Sequence, residues 1–251
     1  MELISKIFLF KALVIVLTGA FLTACGNEKD VSFEGMLVPH HLLVEQKIGQ
    51  LYAGLDNDFD QIYLIGPNHF GHGFNFIQTD NQDFAANSNA EPNKEAIAKD
   101  HGITNHFPFI KKYLRNSELI SITLKNDTPK ERLDNLIDQI RNMARGEVLI
   151  IASIDFTHLE FESAALENDN RIIEWLSYHD SVDYKEIMSM AKTINPSNKE
   201  SIAIDSPETI YVIANLMKNK DFVFVERTST TSLTSIDEPS MFTSHIFGYF
   251  K

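Results

Sequence analysis

One cysteine, Cys25, stands in a chain of 251 residues. No disulfide can therefore form within the chain, and no cysteine cluster can hold a metal. Basic side chains are scarce as well. Lys and Arg number 22 against 35 Asp and Glu, for a formal net charge of −13. That balance argues against nucleic acid as a partner and against a basic face that binds membranes. There is no internal repeat, and the one long apolar run, residues 12–22, is shorter than the roughly 20 residues of a membrane span. What remains for chemistry is histidine, carboxylate and hydroxyl.

The apolar run belongs to a leader. Lys6 and Lys11 precede it, and it closes on Leu22-Thr23-Ala24-Cys25. That is the pattern of a bacterial lipoprotein signal peptide, in which the cysteine becomes the lipidated first residue of the mature protein. The alternative, an uncleaved anchor, fits a run of this length poorly. Residues 1–24 are expected to be removed and 25–32 to form a short lipidated tether, leaving 33–251 as one domain. The mature protein is then an extracytoplasmic, membrane-anchored lipoprotein whose membrane contact is the lipid on Cys25.

Within the domain, apolar β-branched runs alternate with helical periodicity. Ile62-Tyr63-Leu64-Ile65 is stopped by Gly66-Pro67, and Val148-Leu149-Ile150-Ile151-Ala152 is a second such run. Leu133, Leu136, Ile137, Ile140 and Met143 recur at helical spacing, with Thr128 as the expected cap. This alternation predicts a single three-layer α/β domain with a central mixed sheet and helices on both sides. Residues 80–92, rich in Asn, Asp and Ala, look loop-like and are a candidate flap. The polar run 162–171 is expected to be a solvated helix face.

Three strands end on histidine. Met36-Leu37-Val38-Pro39 runs into His40-His41, the strand at 61–65 runs into Asn68-His69 and His72, and Val148 to Ala152 runs into Ser153-Ile154-Asp155-Phe156-Thr157-His158. Ligands of open α/β sheets sit outside the carboxyl ends of the strands. His40, His69 and His158 there could hold Zn²⁺ or Fe²⁺ with positions left for water or substrate. Asp155 could orient an imidazole, or one histidine could stay free as a general base. A strand-end histidine beside a glycine turn is also often a plain loop residue, and Asp155 could merely cap a turn. His41, His179 and His245 have no partner in sequence and read as structural or exposed. His101 and His106 are five apart rather than the four that share a helical face.

Taken in order, Val38-Pro39-His40, Ile65-Gly66-Pro67-Asn68-His69, Asp100-His101-Gly102-Ile103-Thr104-Asn105-His106-Phe107-Pro108 and Ser153-Ile154-Asp155-Phe156-Thr157-His158 resemble the MEMO family, known in bacteria as AmmeMemoRadiSam system protein B. The family is similar in fold to class III extradiol dioxygenases, which use non-haem Fe²⁺. The resemblance implies metal ligation by His40 and His69, with Asp155 and His158 as the polar pair that handles protons. His101 and His106, in the third motif, join the catalytic candidates. Where the family carries cysteine, this chain has Ala203, and where it carries arginine, Asp205. Asp205 is the candidate third ligand, giving two histidines and one carboxylate. The resulting expectation is a divalent-metal enzyme acting on an unidentified small molecule, with no protein partner specified. The alternative is a non-catalytic binding lipoprotein that holds a metal or ligand in the same crevice.

Overall fold

Strand propensity and stop signals place most of the sheet where the sequence predicts it. The computed structural model describes residues 31–55, 58–178 and 181–251. The leader, Cys25 and His179 lie outside the described residues, and the lipidation expectation with them. The strands are β1 (Ser32–Val38), β2 (Gln61–Pro67), β3 (Ile77–Thr79), β4 (Glu91–Pro92), β5 (Glu118–Leu124), β6 (Glu147–Ser153), β7 (Phe156–His158), β8 (Ile202–Ile204), β9 (Phe222–Ser229) and β10 (Ser244–Phe250). Eight of them form one sheet in the order β4-β3-β5-β2-β6-β1-β10-β9, and β7 pairs with β8 in a separate ribbon.

The helices are α1 (Glu45–Ala53), α2 (Gln82–Ala86), α3 (Lys94–Lys99), α4 (His101–Thr104), α5 (Phe107–Tyr113), α6 (Lys130–Met143), α7 (Glu162–Tyr178), α8 (Tyr184–Met190), α9 (Pro207–Leu216) and α10 (Thr230–Thr234). The sheet is mixed. Its centre, β5-β2-β6-β1, is parallel, while β3 on one side and β10 on the other run antiparallel.

Alternation along the central strands distributes side chains to two apolar layers. Tyr63, Ile65, Val148 and Ile150 pack with Leu133 and Leu136 of α6 and Ile210 to Ala214 of α9. Ile62, Leu64, Leu149 and Ile151 face the other way, against Ile48 and Tyr52 of α1 and Ile103 of α4. Register then aligns the strand ends. Val38 sits opposite Ser153, Ile65 opposite Ala152, and Pro67 opposite Leu124. The carboxyl ends of β1, β2 and β6 therefore finish at one level, and whatever follows them meets.

Three local expectations are corrected. Residues 80–92 are not a flap: they hold α2 and β4, Phe84 is buried edge-to-face against Tyr63, and β4 pairs with β3. Thr128 does not cap α6. Its hydroxyl donates to Lys125 O while buried, and the helix begins after Pro129. The run 162–171 is solvated on one face only: Ser163, Glu167 and Asn170 are exposed, but Asp169 is fully buried and accepts from Arg227 Nε at 2.7 Å, and Arg227 Nη1 also reaches Glu162 at 2.7 Å. The helix period was legible there, but the partly buried cation that satisfies its inward carboxylate, Arg227, comes from β9.

Candidate functional site

Each strand end presents its histidine through a fixed local device. At β1, the carbonyl of Val38 accepts from Ile154 N at 3.0 Å, and His40 N donates to Asp155 Oδ1 at 3.2 Å, tying the segment after β1 to the segment after β6. At β2, Asn68 closes a loop on itself. Its Oδ1 accepts from His72 N, and its Nδ2 donates to His72 O, both at 2.9 Å. Gly71 and Gly73 take positive φ in this loop, and a Cβ on Gly73 would lie 2.2 Å from Gln78 Oε1, so the turn demands glycine. A third segment arrives with α4. Asp100 caps it by accepting from Gly102 N at 2.9 Å. The same carboxylate accepts from His69 N and from His69 Nδ1, each at 2.8 Å.

Hydrogen-bond bookkeeping assigns the tautomers. Ser153 Oγ donates its one proton to Gly102 O, so it can only accept from its other two neighbours, His40 Nδ1 at 3.1 Å and His106 Nε2 at 2.9 Å. Both imidazoles must then carry their proton on the nitrogen facing Ser153. His40 Nε2 is left with a bare lone pair. His69 donates Nδ1–H to Asp100, which in the neutral ring puts the lone pair on Nε2. Tyr52 O–H completes the network by donating to His106 Nδ1 at 3.0 Å.

The two bare nitrogens point at one oxygen. Asp205 Oδ2 lies 3.4 Å from His40 Nε2 and 3.9 Å from His69 Nε2, and Asp155 Oδ2 is 3.4 Å from His40 Nε2. The β7–β8 ribbon places Asp205 there, because Phe156 is paired with Ile204 and Asp205 N donates to Asp155 O at 3.2 Å. Neither Asp205 oxygen has a hydrogen-bond partner, although both are buried. His101 stacks on His69 with ring centroids 4.1 Å apart and meets His40 edge-on at 5.4 Å. One nitrogen from each of His40, His69 and His101 lies within 4.8 Å of the others. Ala203, where the resemblance has cysteine, is buried in the hydrophobic core.

The electrostatics follow from burial. Desolvation, reinforced by His69 and other neighbouring imidazoles, drives His40 well below its ordinary pKa and keeps it neutral. Burial lowers His101 and His158 too, with Asp155 opposing the shift in both. Asp205 is pushed well above the carboxylate range, by burial first and then by the charge of Asp155. Burial also works to raise Asp100, but the bonds it accepts from His69 and Gly102 outweigh that and hold it below its usual value. At the centre, the lone pairs of His40 Nε2 and His69 Nε2 thus face the unpartnered oxygens of Asp205. Such a set is stable with a proton on Asp205 or with a cation between the ligands.

Several sequence expectations change here. His106 is not at the crevice: it is fully buried, and both ring nitrogens are committed, to Tyr52 and Ser153. Through Ser153 it is linked to His40. His101, expected among the catalytic groups, lies in the ligand-capable cluster instead. His158 lies outside that cluster, with Nδ1 3.2 Å from Thr243 Oγ1 and Nε2 buried without a partner. Asp155 touches His40 rather than orienting an imidazole through its far nitrogen, a job done by Asp100 for His69 and by Ser153 for His40. His41 and His245 do have partners, namely each other, Nδ1 to Nε2 at 2.9 Å, and Thr228 Oγ1 lies 3.1 Å from His245 Nδ1. The sequence separation of 204 residues hid that pair. Ser153 and Asp100 were visible only as members of their motifs.

No family model matches this chain. It is similar to a MEMO1 family protein of Caldivirga maquilingensis, 26% identical over 145 residues, which are 50% of this chain and 51% of that protein. It is also similar to a MEMO1 family protein of Sulfurisphaera tokodaii, 23% identical over 192 residues, 68% of this chain and 66% of the relative. The matched stretch thus spans about half of the first relative and just under two thirds of the second. In structure, the chain resembles an uncharacterized protein, JW3007, from Escherichia coli K12, with a TM-score of 0.57 and 10% identity over 88% of this chain and all of that one. That likeness is one of fold. The resemblance to the MEMO family therefore rests on similarity over 50% and 68% of the chain as well as on the four motifs.

Proposed function

We propose that this MEMO-like chain is a divalent-metal enzyme whose centre is held by His40 and His69, with His101 and Asp205 completing it. The observation that carries this reading is the convergence of two imidazole lone pairs, each locked by a donor bond at its other nitrogen, on the unpartnered buried oxygen of Asp205. The 3.4 Å between His40 Nε2 and Asp205 Oδ2 suits two donors that share one ion, and His69 Nε2 lies somewhat farther from that oxygen, at 3.9 Å. Nitrogen and carboxylate donors suit Fe²⁺ or Zn²⁺. When bound, such an ion supplies Lewis acidity toward a carbonyl, diol or water.

The chain's own groups have separable roles. Ser153 and Asp100 fix the two imidazoles in the ligating tautomer. Asp155 accepts from the His40 backbone and keeps a second carboxylate against Asp205. His158, neutral and with a free buried Nε2, is the group suited to take or return a proton at the edge of the site. The leader pattern ending at Cys25 supports placing this activity outside the cytoplasm on a lipid anchor.

The test is metal content of the full chain purified without chelator. Wild type is expected to hold iron or zinc near one equivalent, with His40→Ala, His69→Ala and Asp205→Ala each losing it. His158→Ala is expected to keep the metal and lose turnover. A wild type that binds neither metal after reconstitution overturns the reading.

A further inference from the structure

A cavity of about 580 Å³ lies beyond the histidine centre, between α8, β8 and the start of α9. Asp205 contributes to its wall and to the centre alike. The cavity has a polarity that runs from floor to rim. On the floor is Glu208, only 1% exposed, in the first turn of α9. Its Oε1 accepts from Asp127 N at 2.7 Å, clamping the loop that precedes α6. Its Oε2 is buried and has no hydrogen-bond partner. Tyr184, Met188, Ile202 and Ile204 form an apolar wall. At the rim stand Lys185 and Lys192, both exposed and neither of them in an ion pair among the described residues.

From this arrangement we infer that the cavity binds a small zwitterion with an apolar spacer, its ammonium on Glu208 and its carboxylate at Lys185 and Lys192. A buried acceptor with no partner is costly, and a charged donor is the group that satisfies it best. The apolar wall excludes a ligand that is polar throughout, and the two lysines select an anion at the open end. Inorganic anions alone would leave Glu208 unsatisfied, and a fully apolar ligand would bury it further. The inference goes beyond the metal reading and rests on Glu208, Lys185 and Lys192, none of which belongs to the histidine cluster, although Asp205 borders both sites.

Calorimetric titration of the full chain with 6-aminohexanoate, hexylamine and hexanoate tests the assignment. The zwitterion should bind best, hexylamine next, and hexanoate at least about tenfold more weakly than the zwitterion. Glu208→Gln keeps the bond from Asp127 N but not the charge, and should weaken the zwitterion and hexylamine about tenfold or more. Replacing Lys185 and Lys192 together by alanine should bring the zwitterion down to the level of hexylamine. If Glu208→Gln does not fold, Ser189→Trp, which fills the cavity from its exposed side, should abolish binding of both amines. Wild type binding none of the three, hexanoate binding as well as hexylamine, or Glu208→Gln binding like wild type would each overturn the inference.

Discussion

Ser153 shows how much one hydroxyl decides. It receives two imidazole N–H groups and gives its proton to a backbone carbonyl, all out of contact with water. Ser153→Ala leaves two buried donors without an acceptor. Each such loss costs about 1–3 kcal/mol, so urea denaturation should show a drop of a few kcal/mol. It also frees the ring of His40 to adopt the other tautomer, and metal affinity should fall about 10–100-fold. Asp100→Asn should weaken metal binding to a similar extent through His69, since an amide holds the Nδ1–H less strongly than a carboxylate. Competition with a chromogenic chelator measures both. Unchanged affinity in both variants would remove the orienting role argued for these residues.

At the scale of elements, Arg227 joins β9 to α7. Its guanidinium bonds Asp169 and Glu162, and Glu162 in turn accepts from the hydroxyl of Ser229. Asp169 also accepts from Thr157 Oγ1 at 2.8 Å, in the strand that carries His158. The network therefore ties the edge of the sheet to the β7–β8 ribbon. Arg227→Met removes the cation and leaves a fully buried carboxylate behind, which should cost about 3–5 kcal/mol. The double variant Arg227→Met with Asp169→Leu should recover part of that loss. Thermal unfolding of the pair checks both statements. A sequence period shows that 162–178 is helical, but not that one of its carboxylates meets a cation 58 positions away.

For the whole molecule, acid is the informative variable. Burial holds His106 and His245 down to pKa values of about 4 against an ordinary 6.5. Between those values the unfolded chain takes up protons that the folded chain refuses, so stability is complete above pH 6.5 and falls as pH drops toward 4. Each histidine contributes on the order of 3 kcal/mol to that fall. Denaturant midpoints measured from pH 7.5 to 4 should decline through this window, and His245→Gln should flatten the decline by its own share. A flat profile would contradict the buried, neutral state of both rings. At the same scale, Cys25→Ala should move the protein from the membrane fraction to the soluble one if the leader is processed as a lipoprotein signal. Labelled palmitate incorporation reads the same step directly.

What the sequence by itself determined is local. Apolar β-branched runs, the glycine and proline stops and the helical periods are each short-range preferences, and they place the central strands and the α/β class. The four ordered motifs marked the family resemblance and named the histidines at the strand ends. Tertiary structure alone decided how those residues face one another. Parallel register brings the ends of β1, β2 and β6 to one level, the β7–β8 ribbon sets Asp205 against His40, and Ser153 and Tyr52 occupy both ring nitrogens of His106. The physical reason is that a side chain's role depends on which donors and acceptors surround it. Those partners lie up to 204 residues away in sequence, where no local preference reaches.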